Sequence, residues 1–222
     1  MKYKFQDYEI TLERKKIKHI YLSITPEGEI RIRIPQAMTN RETDYFLETK
    51  RDWIEQKLAE RKPLKSIEWI DGEPIPLLGK TYRLKLTDSL LRLPMLDGGE
   101  IFMQQLDPDV MNVQLDKFYR IHLQAYLDRR IVILSQEMEL SPSEWRIRKM
   151  KTRWGSCNPR AGRLWFNLEL AKKDPELVDY VIVHELCHLI EPGHNQRFYR
   201  VLGQYLPDWS ERKKRLNGRL DV

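Results

Sequence analysis

Hydrophobic and polar residues alternate near the start of the chain. Ile20, Leu22 and Ile24, then Ile30, Ile32 and Ile34, fall on one side of two extended runs, 17–24 and 30–34, with Lys18, Arg31 and Arg33 on the other. Pro26-Glu27-Gly28-Glu29 between them is turn chemistry, so a hairpin is expected. The period then changes to that of a helix. Thr39-Asn40-Arg41-Glu42 reads as a capping box opening a helix that runs to about Arg61, with Leu47, Ile54 and Leu58 on one stripe and Phe46 and Trp53 beside it, and Pro63 as its stop. From Ile67 to Leu93 the turns Asp71-Gly72 and Leu78-Gly79 and the alternating run Tyr82 to Leu86 predict short strands, and Asp97-Gly98-Gly99 predicts another turn.

Strand-like patterning gives way to helix between Leu106 and Asp109. Beyond it Leu123, Leu127, Ile131, Leu134 and Met138 recur at spacings of three and four, which predicts one long amphipathic helix over about 110–140. Ser141-Pro142 breaks it. Trp145 to Lys151 then alternates basic residues as a strand does. Thr152 to Cys157 reads as a turn and Arg163 to Leu168 as a strand, and two strands flanking Asn158-Pro159-Arg160-Ala161-Gly162 make a hairpin over 145–168. The segment after Asp174-Pro175 is almost wholly apolar, with Leu177, Val178, Val181, Ile182, Leu186 and Leu189, and reads as a buried helix capped by Asp174 and stopped by Pro192-Gly193. Phe198, Val201, Leu202 and Tyr205 suit a packing helix, and the tail around Arg212 to Arg215 a basic, solvated one. These elements make an α+β protein, with a β-rich N-terminal region over 1–107 containing one long helix, and a second domain over 108–222.

Within the buried helix lies the chemistry. His184-Glu185-Leu186-Cys187-His188 sets two imidazoles one turn apart on one face, where they can share a metal ion, and puts a carboxylate beside the first. From the chain's own His and Glu frequencies this pattern arises by accident in roughly one sequence of this length in a hundred. Two histidines and a glutamate in an apolar helix otherwise need buried partners, which a metal supplies directly. Three of the chain's five histidines fall within 184–194, and a turn at Pro192-Gly193 can bring His194 back to the metal. Two other roles stay open at that point: His194-Asn195 can cap the next helix, and Glu191 or Glu211 can serve as third ligand. The long helix is expected to back the metal helix, because ligand rotamers need a rigid support.

Length and composition set broader bounds. The chain has 222 residues, 41% hydrophobic and 32% charged, which suits one or two folded domains with a real core. No apolar run reaches a membrane span, and the polar start Met1 to Asp7 has no signal-peptide core, so a cytoplasmic protein without membrane contact is expected. Two cysteines, Cys157 and Cys187, make no disulfide framework. The net charge of +6 favours polyanionic partners without deciding among them.

The run Lys151 to Cys157, then Asn167, then Tyr180 to Leu189 with His194 and Phe198, resembles the YgjP-like family of zinc metallopeptidases, related to the SprT-like zincins. The resemblance covers nearly the whole chain. It implies a zincin-like C-terminal domain with a small antiparallel sheet, one Zn2+ per chain held by His184, His188 and His194, and Glu185 as the catalytic base. The third histidine has metzincin spacing, but Glu191 stands where that pattern has glycine, and no methionine follows Met150, so no Met-turn can form.

The expected reaction is amide hydrolysis of a peptide or unfolded protein, by a zinc-bound water that Glu185 activates. Arg153, Asn167, Arg197 and Tyr199 are candidate donors to the developing oxyanion, and Trp154 a candidate cleft wall. A peptide can also add to an edge strand of the 145–168 hairpin. Two other readings compete: a zinc-dependent nucleoside triphosphate pyrophosphatase or phosphohydrolase using Arg146, Arg148, Lys151 and Arg153, and a non-enzymatic, zinc-stabilised nucleic-acid-binding module using the basic strands. Manganese, cobalt or nickel also suit nitrogen ligands.

Overall fold

A computed structural model describes residues 2–25, 28–59 and 67–218. These divide into two compact units, 1–67 and 68–222. The position 107/108, where the sequence pattern changes from strand to helix, falls inside the second unit.

In the first unit, strands β1 (Lys2–Phe5), β2 (Tyr8–Lys15), β3 (Tyr21–Ile24) and β4 (Ile30–Pro35) form a sheet in the order β1-β2-β4-β3. The expected pairing of β3 with β4 is present and antiparallel; two of its turn residues, Pro26 and Glu27, lie outside the described residues. Unexpectedly, β4 has a parallel partner, β2, with Ile10 opposite Ile30 and Leu12 opposite Ile32. Those four side chains, with Ile34, Leu47 and Ile54, make a core exposed by 3% or less. The Thr39-Glu42 capping box forms as expected. The helix it opens is not continuous: α1 (Asn40–Thr49) and α2 (Arg51–Ala59) are separated at Lys50, where the Thr49 hydroxyl donates to the Phe46 carbonyl and competes with the helical ladder. The expected end near Arg61 and Pro63 lies outside the described residues.

The second unit opens with β5 (Pro74–Leu77), β6 (Lys80–Thr87), β7 (Met95–Asp97) and β8 (Glu100–Gln104), in the order β5-β6-β8-β7. As in the first sheet, two antiparallel pairs flank a parallel central pair, here β6 with β8. The long helix follows as α3 (Pro108–Glu137), burying Leu115, Phe118, Leu123, Leu127, Ile131 and Leu134. Next come β9 (Glu144–Arg148), β10 (Gly155–Asn158) and β11 (Arg163–Asn167), in the order β10-β11-β9. The sheet expected to be antiparallel is mixed, and Gly155 to Cys157, expected within a turn, belong to its outer strand β10. Residues 149–154 carry the chain across, so β10 runs opposite to β9, and the β10-β11 hairpin returns β11 parallel to β9. A 3-10 turn (Leu168–Lys172) leads into α4 (Pro175–Ile190), α5 (Gln196–Tyr205) and α6 (Trp209–Leu216).

Three contacts hold α4, the helix that carries the histidines. From α3, Tyr126 donates to the Asp179 carboxylate (2.8 Å) and Arg130 grips the same carboxylate with two nitrogens (3.0 and 2.7 Å). The long helix is thus the expected backing. At the start of α4, the β5-β6 turn abuts Pro175: a Cβ on Gly79, whose φ is +79°, would lie 2.8 Å from the proline ring. From α6, Arg215 pairs with Asp174 (3.1 Å) and Glu176 (2.5 Å). Asp174 occupies the N-cap position but makes no side-chain cap, its carboxylate being taken by Arg215.

Candidate metal centre and its cleft

Helix α4 buries Leu177, Val178, Val181, Ile182, Val183 and Leu186, which leaves His184 and His188 together at the face bordering a cleft of about 700 Å3. Their ring centroids are 5.0 Å apart. His194 returns from the α4-α5 connection, its ring 5.0 Å from that of His184 and 4.6 Å from that of His188. Asn195 caps α5 by accepting from the Phe198 backbone N–H (3.1 Å), so the capping role falls to Asn195 and the His194 ring is left for the cluster. Phe198, fully buried, packs against all three imidazoles at 4.7–5.0 Å and limits their rotation.

Each imidazole offers one nitrogen, and the three lie within 4.8 Å of one another. Nε2 of His184 and Nε2 of His194 face each other at 3.0 Å. That is near the roughly 3.3 Å separating two ligands tetrahedrally disposed about zinc at bonds of about 2.0–2.1 Å. Nδ1 of His188 lies 3.2 Å from the Glu191 carbonyl; donating there fixes the tautomer that leaves the Nε2 lone pair free. Burial drives the His184 pKa down to about 3, with His188, His194 and Lys213 adding to the effect, and burial also lowers that of His188. Those two rings are therefore held in the neutral form, the one that can offer a lone pair to a metal. The donor set and its convergence fit a transition metal. Among the described residues no other group of three or more His, Cys, Asp or Glu converges in this way, so Glu191 and Glu211 are not part of it.

Glu185 is 4% exposed, and burial pushes its pKa up to about 8, partly offset by the Arg153 guanidinium. A cation among the imidazoles would draw that value down again. The carboxylate rests on β10. A Cβ on Gly155 would fall 2.5 Å from Glu185 Oε1, 2.7 Å from Cγ and 2.8 Å from Cδ, so any larger residue there must displace the Glu185 side chain. β10 is the outer strand of its sheet and lines the cleft through Gly155, Ser156 and Cys157.

Of the expected substrate-binding residues, Arg153, Trp154 and Tyr199 line the cleft. Trp154 donates from Nε1 to Asn217 (3.3 Å) and Tyr199 stacks on Trp209 at 4.9 Å. Asn167 and Arg197 are not brought there. Asn167 is buried; its amide donates to the Met150 and Arg153 carbonyls (2.9 and 2.7 Å) and accepts from the Met150 and Glu169 backbone, so it ties down the 149–154 loop. Arg197 points outward with its side chain 69% exposed, 4.0 Å from Glu191. Sequence reasoning passed over Gly155, Tyr180, Lys213 and Asn217, all at the cleft.

A family model described as YgjP-like, metallopeptidase domain, matches residues 18–219. Among solved structures, the metallopeptidase zymogen of Pyrococcus abyssi, abylysin, is similar at 19% identity and a TM-score of 0.39, the match covering 42% of this chain and 94% of that one. No curated protein matches the chain.

Proposed function

The chain belongs to the YgjP-like metallopeptidase family, and on that premise we propose that it hydrolyses amide bonds of peptides or unfolded proteins at one zinc ion, held by His184, His188 and His194, with Glu185 as the base. The observation that carries this reading is the convergence of three imidazole nitrogens beside a buried carboxylate at the wall of an open cleft. When bound, the metal supplies Lewis acidity, polarising the amide carbonyl and acidifying water. The chain's own residues do the rest. Glu185, pressed between α4 and Gly155, has little room to leave its place beside His184, so it takes a proton from water and returns it to the leaving amine. Arg153 and Tyr199 stand at the cleft as donors for negative charge developing on the carbonyl oxygen. The outer edge of β10, which pairs with no strand among the described residues, offers backbone groups to an extended substrate, whose scissile bond would then lie along the strand next to Glu185.

The nucleotide reading gains nothing from the structure: triphosphate hydrolysis ordinarily calls for a further divalent cation, and the described residues hold no second cluster to bind one. The test is cleavage of an unfolded protein by the zinc-loaded chain. Glu185→Gln is expected to keep its zinc and lose turnover, and His188→Ala to lose both. Undiminished hydrolysis by zinc-loaded Glu185→Gln would remove Glu185 from the mechanism.

A further inference from the structure

The charge of the cleft is one-sided. Among the described residues lining it, Glu185 is the sole carboxylate and is buried, whereas Arg153 and Lys213 are both cationic. On α6 the neighbouring cations are already engaged: Arg212 bonds to Asp208 (2.9 Å) and the Glu176 carbonyl (3.0 Å), and Arg215 pairs with Asp174 and Glu176. Lys213 has no ion pair with a carboxylate among the described residues. Its ammonium lies 5.8 Å from the Tyr199 ring centroid and 5.9 Å from that of Trp209, two rings stacked within 26° of parallel. Aromatic faces hold a cation in place without neutralising it. Tyr199 in turn lies 6.3 Å, centroid to centroid, from His194, which puts this perch beside the triad.

A positive charge lining a cleft, held over aromatic rings and with no carboxylate paired to it among the described residues, favours an anionic ligand and penalises a cationic one. We propose that the cleft selects substrates bearing a carboxylate beside the scissile amide, and that Lys213 is the residue that reads it. The inference rests on the peptidase reading above and narrows its substrate class. The carboxylate can belong to an acidic side chain or to a free chain terminus; both present the same group to the ammonium. Lys213 is here a specificity residue, and Tyr199 and Trp209 position it.

The test uses four fluorescent peptides that differ only in Glu against Gln next to the central amide, and in a free against an amidated C-terminus. Equilibrium binding to the zinc-loaded Glu185→Gln protein needs no turnover. One carboxylate-bearing peptide is expected to bind about three- to five-fold tighter than its neutral twin at low salt, and the pair that differs identifies the source of the carboxylate. The preference should shrink with added salt, vanish when Lys213→Gln is added, and survive Lys213→Arg. Equal binding of all four peptides, no binding at all, or a preference unchanged by Lys213→Gln would each overturn the proposal. Cleavage by the otherwise wild-type protein separates the two claims. Amide cleavage with no carboxylate preference defeats the inference alone; a Lys213-dependent preference without cleavage of any peptide defeats the peptidase reading and leaves the carboxylate site standing.

Discussion

Replacing Gly155 by alanine puts a methyl carbon where the Glu185 side chain already sits. The three nearest atoms to the added carbon would be Oε1, Cγ and Cδ of Glu185, at 2.5, 2.7 and 2.8 Å. Carbon–carbon contacts relax at about 3.5–4.0 Å, so something must move by roughly 1 Å. Oε1 alone could swing aside, but Cγ is anchored one bond from Cβ on a packed helix and can shift only by changing rotamer. The backbone of Gly155 is not in the left-handed region, so the clash is the whole cost of the substitution. Overpacking of this kind costs about 1–3 kcal/mol of stability, and a base displaced by about 1 Å loses on the order of 100-fold in rate. The expected result for Gly155→Ala is full zinc content, a modestly lower Tm, and kcat/KM reduced about 100-fold against an unfolded-protein substrate. Glu185→Asp, shorter by one methylene, relieves the crowding. The pair is therefore non-additive, the second substitution costing less in the alanine background than in wild type. A Gly155→Ala protein with unchanged Tm and unchanged kcat/KM would show that the carboxylate does not rest on β10.

Three further outcomes follow from the same geometry. In the metal-free protein Glu185 keeps its proton up to about pH 8, while in the unfolded chain it loses it near 4.5; the folded state then binds more protons, stability falls as pH rises across that window, and Glu185→Gln removes the slope, gaining on the order of a few kcal/mol over wild type by pH 8 in denaturant titrations with chelator. A chelator should lower the Tm of the zinc-loaded protein, since a metal at 100 times its Kd contributes about 2.7 kcal/mol, and should leave the Tm of His188→Ala unchanged. Asn167→Ala takes away the amide that donates to the Met150 and Arg153 carbonyls and should cost about 1–3 kcal/mol in urea unfolding; a stability equal to wild type would mean that the 149–154 loop is held by something else.

The parts legible in the sequence were those set by local periodicity. The long helix, the metal helix, the turn at 158–162 and the Thr39 capping box all follow from spacing and cap chemistry within a few residues, whereas β10 falls largely in a stretch that reads as a turn. Parallel pairing was not legible: nothing near Ile10 announces that it will lie opposite Ile30, or Arg83 opposite Glu100, because the partners are joined through other strands. The metal triad was legible because two ligands share a helix face and a Pro-Gly turn returns the third. Asn167 looked like a donor because an amide has no other marker in sequence; besides capping its own 3-10 turn at Glu169, it makes three hydrogen bonds to backbone groups of a loop that only the fold brings around it. Gly155 was missed because the signal for a glycine is normally a turn or a positive φ, and here it is another side chain pressed against it. Lys213 was taken as solvated surface, since a basic helix looks alike on both faces until it is known that α6 borders the cleft.

The central claim is that three imidazoles hold one metal. It is tested most directly by X-ray absorption at the zinc edge of the loaded protein, with the metal content measured on the same sample. One zinc per chain with three nitrogen scatterers at about 2.0–2.1 Å, reduced to two in His194→Ala, is the result predicted. A sulfur scatterer near 2.3 Å, which would bring in Cys157 or Cys187, a spectrum indifferent to His194→Ala, or a chain that takes up no metal would contradict it.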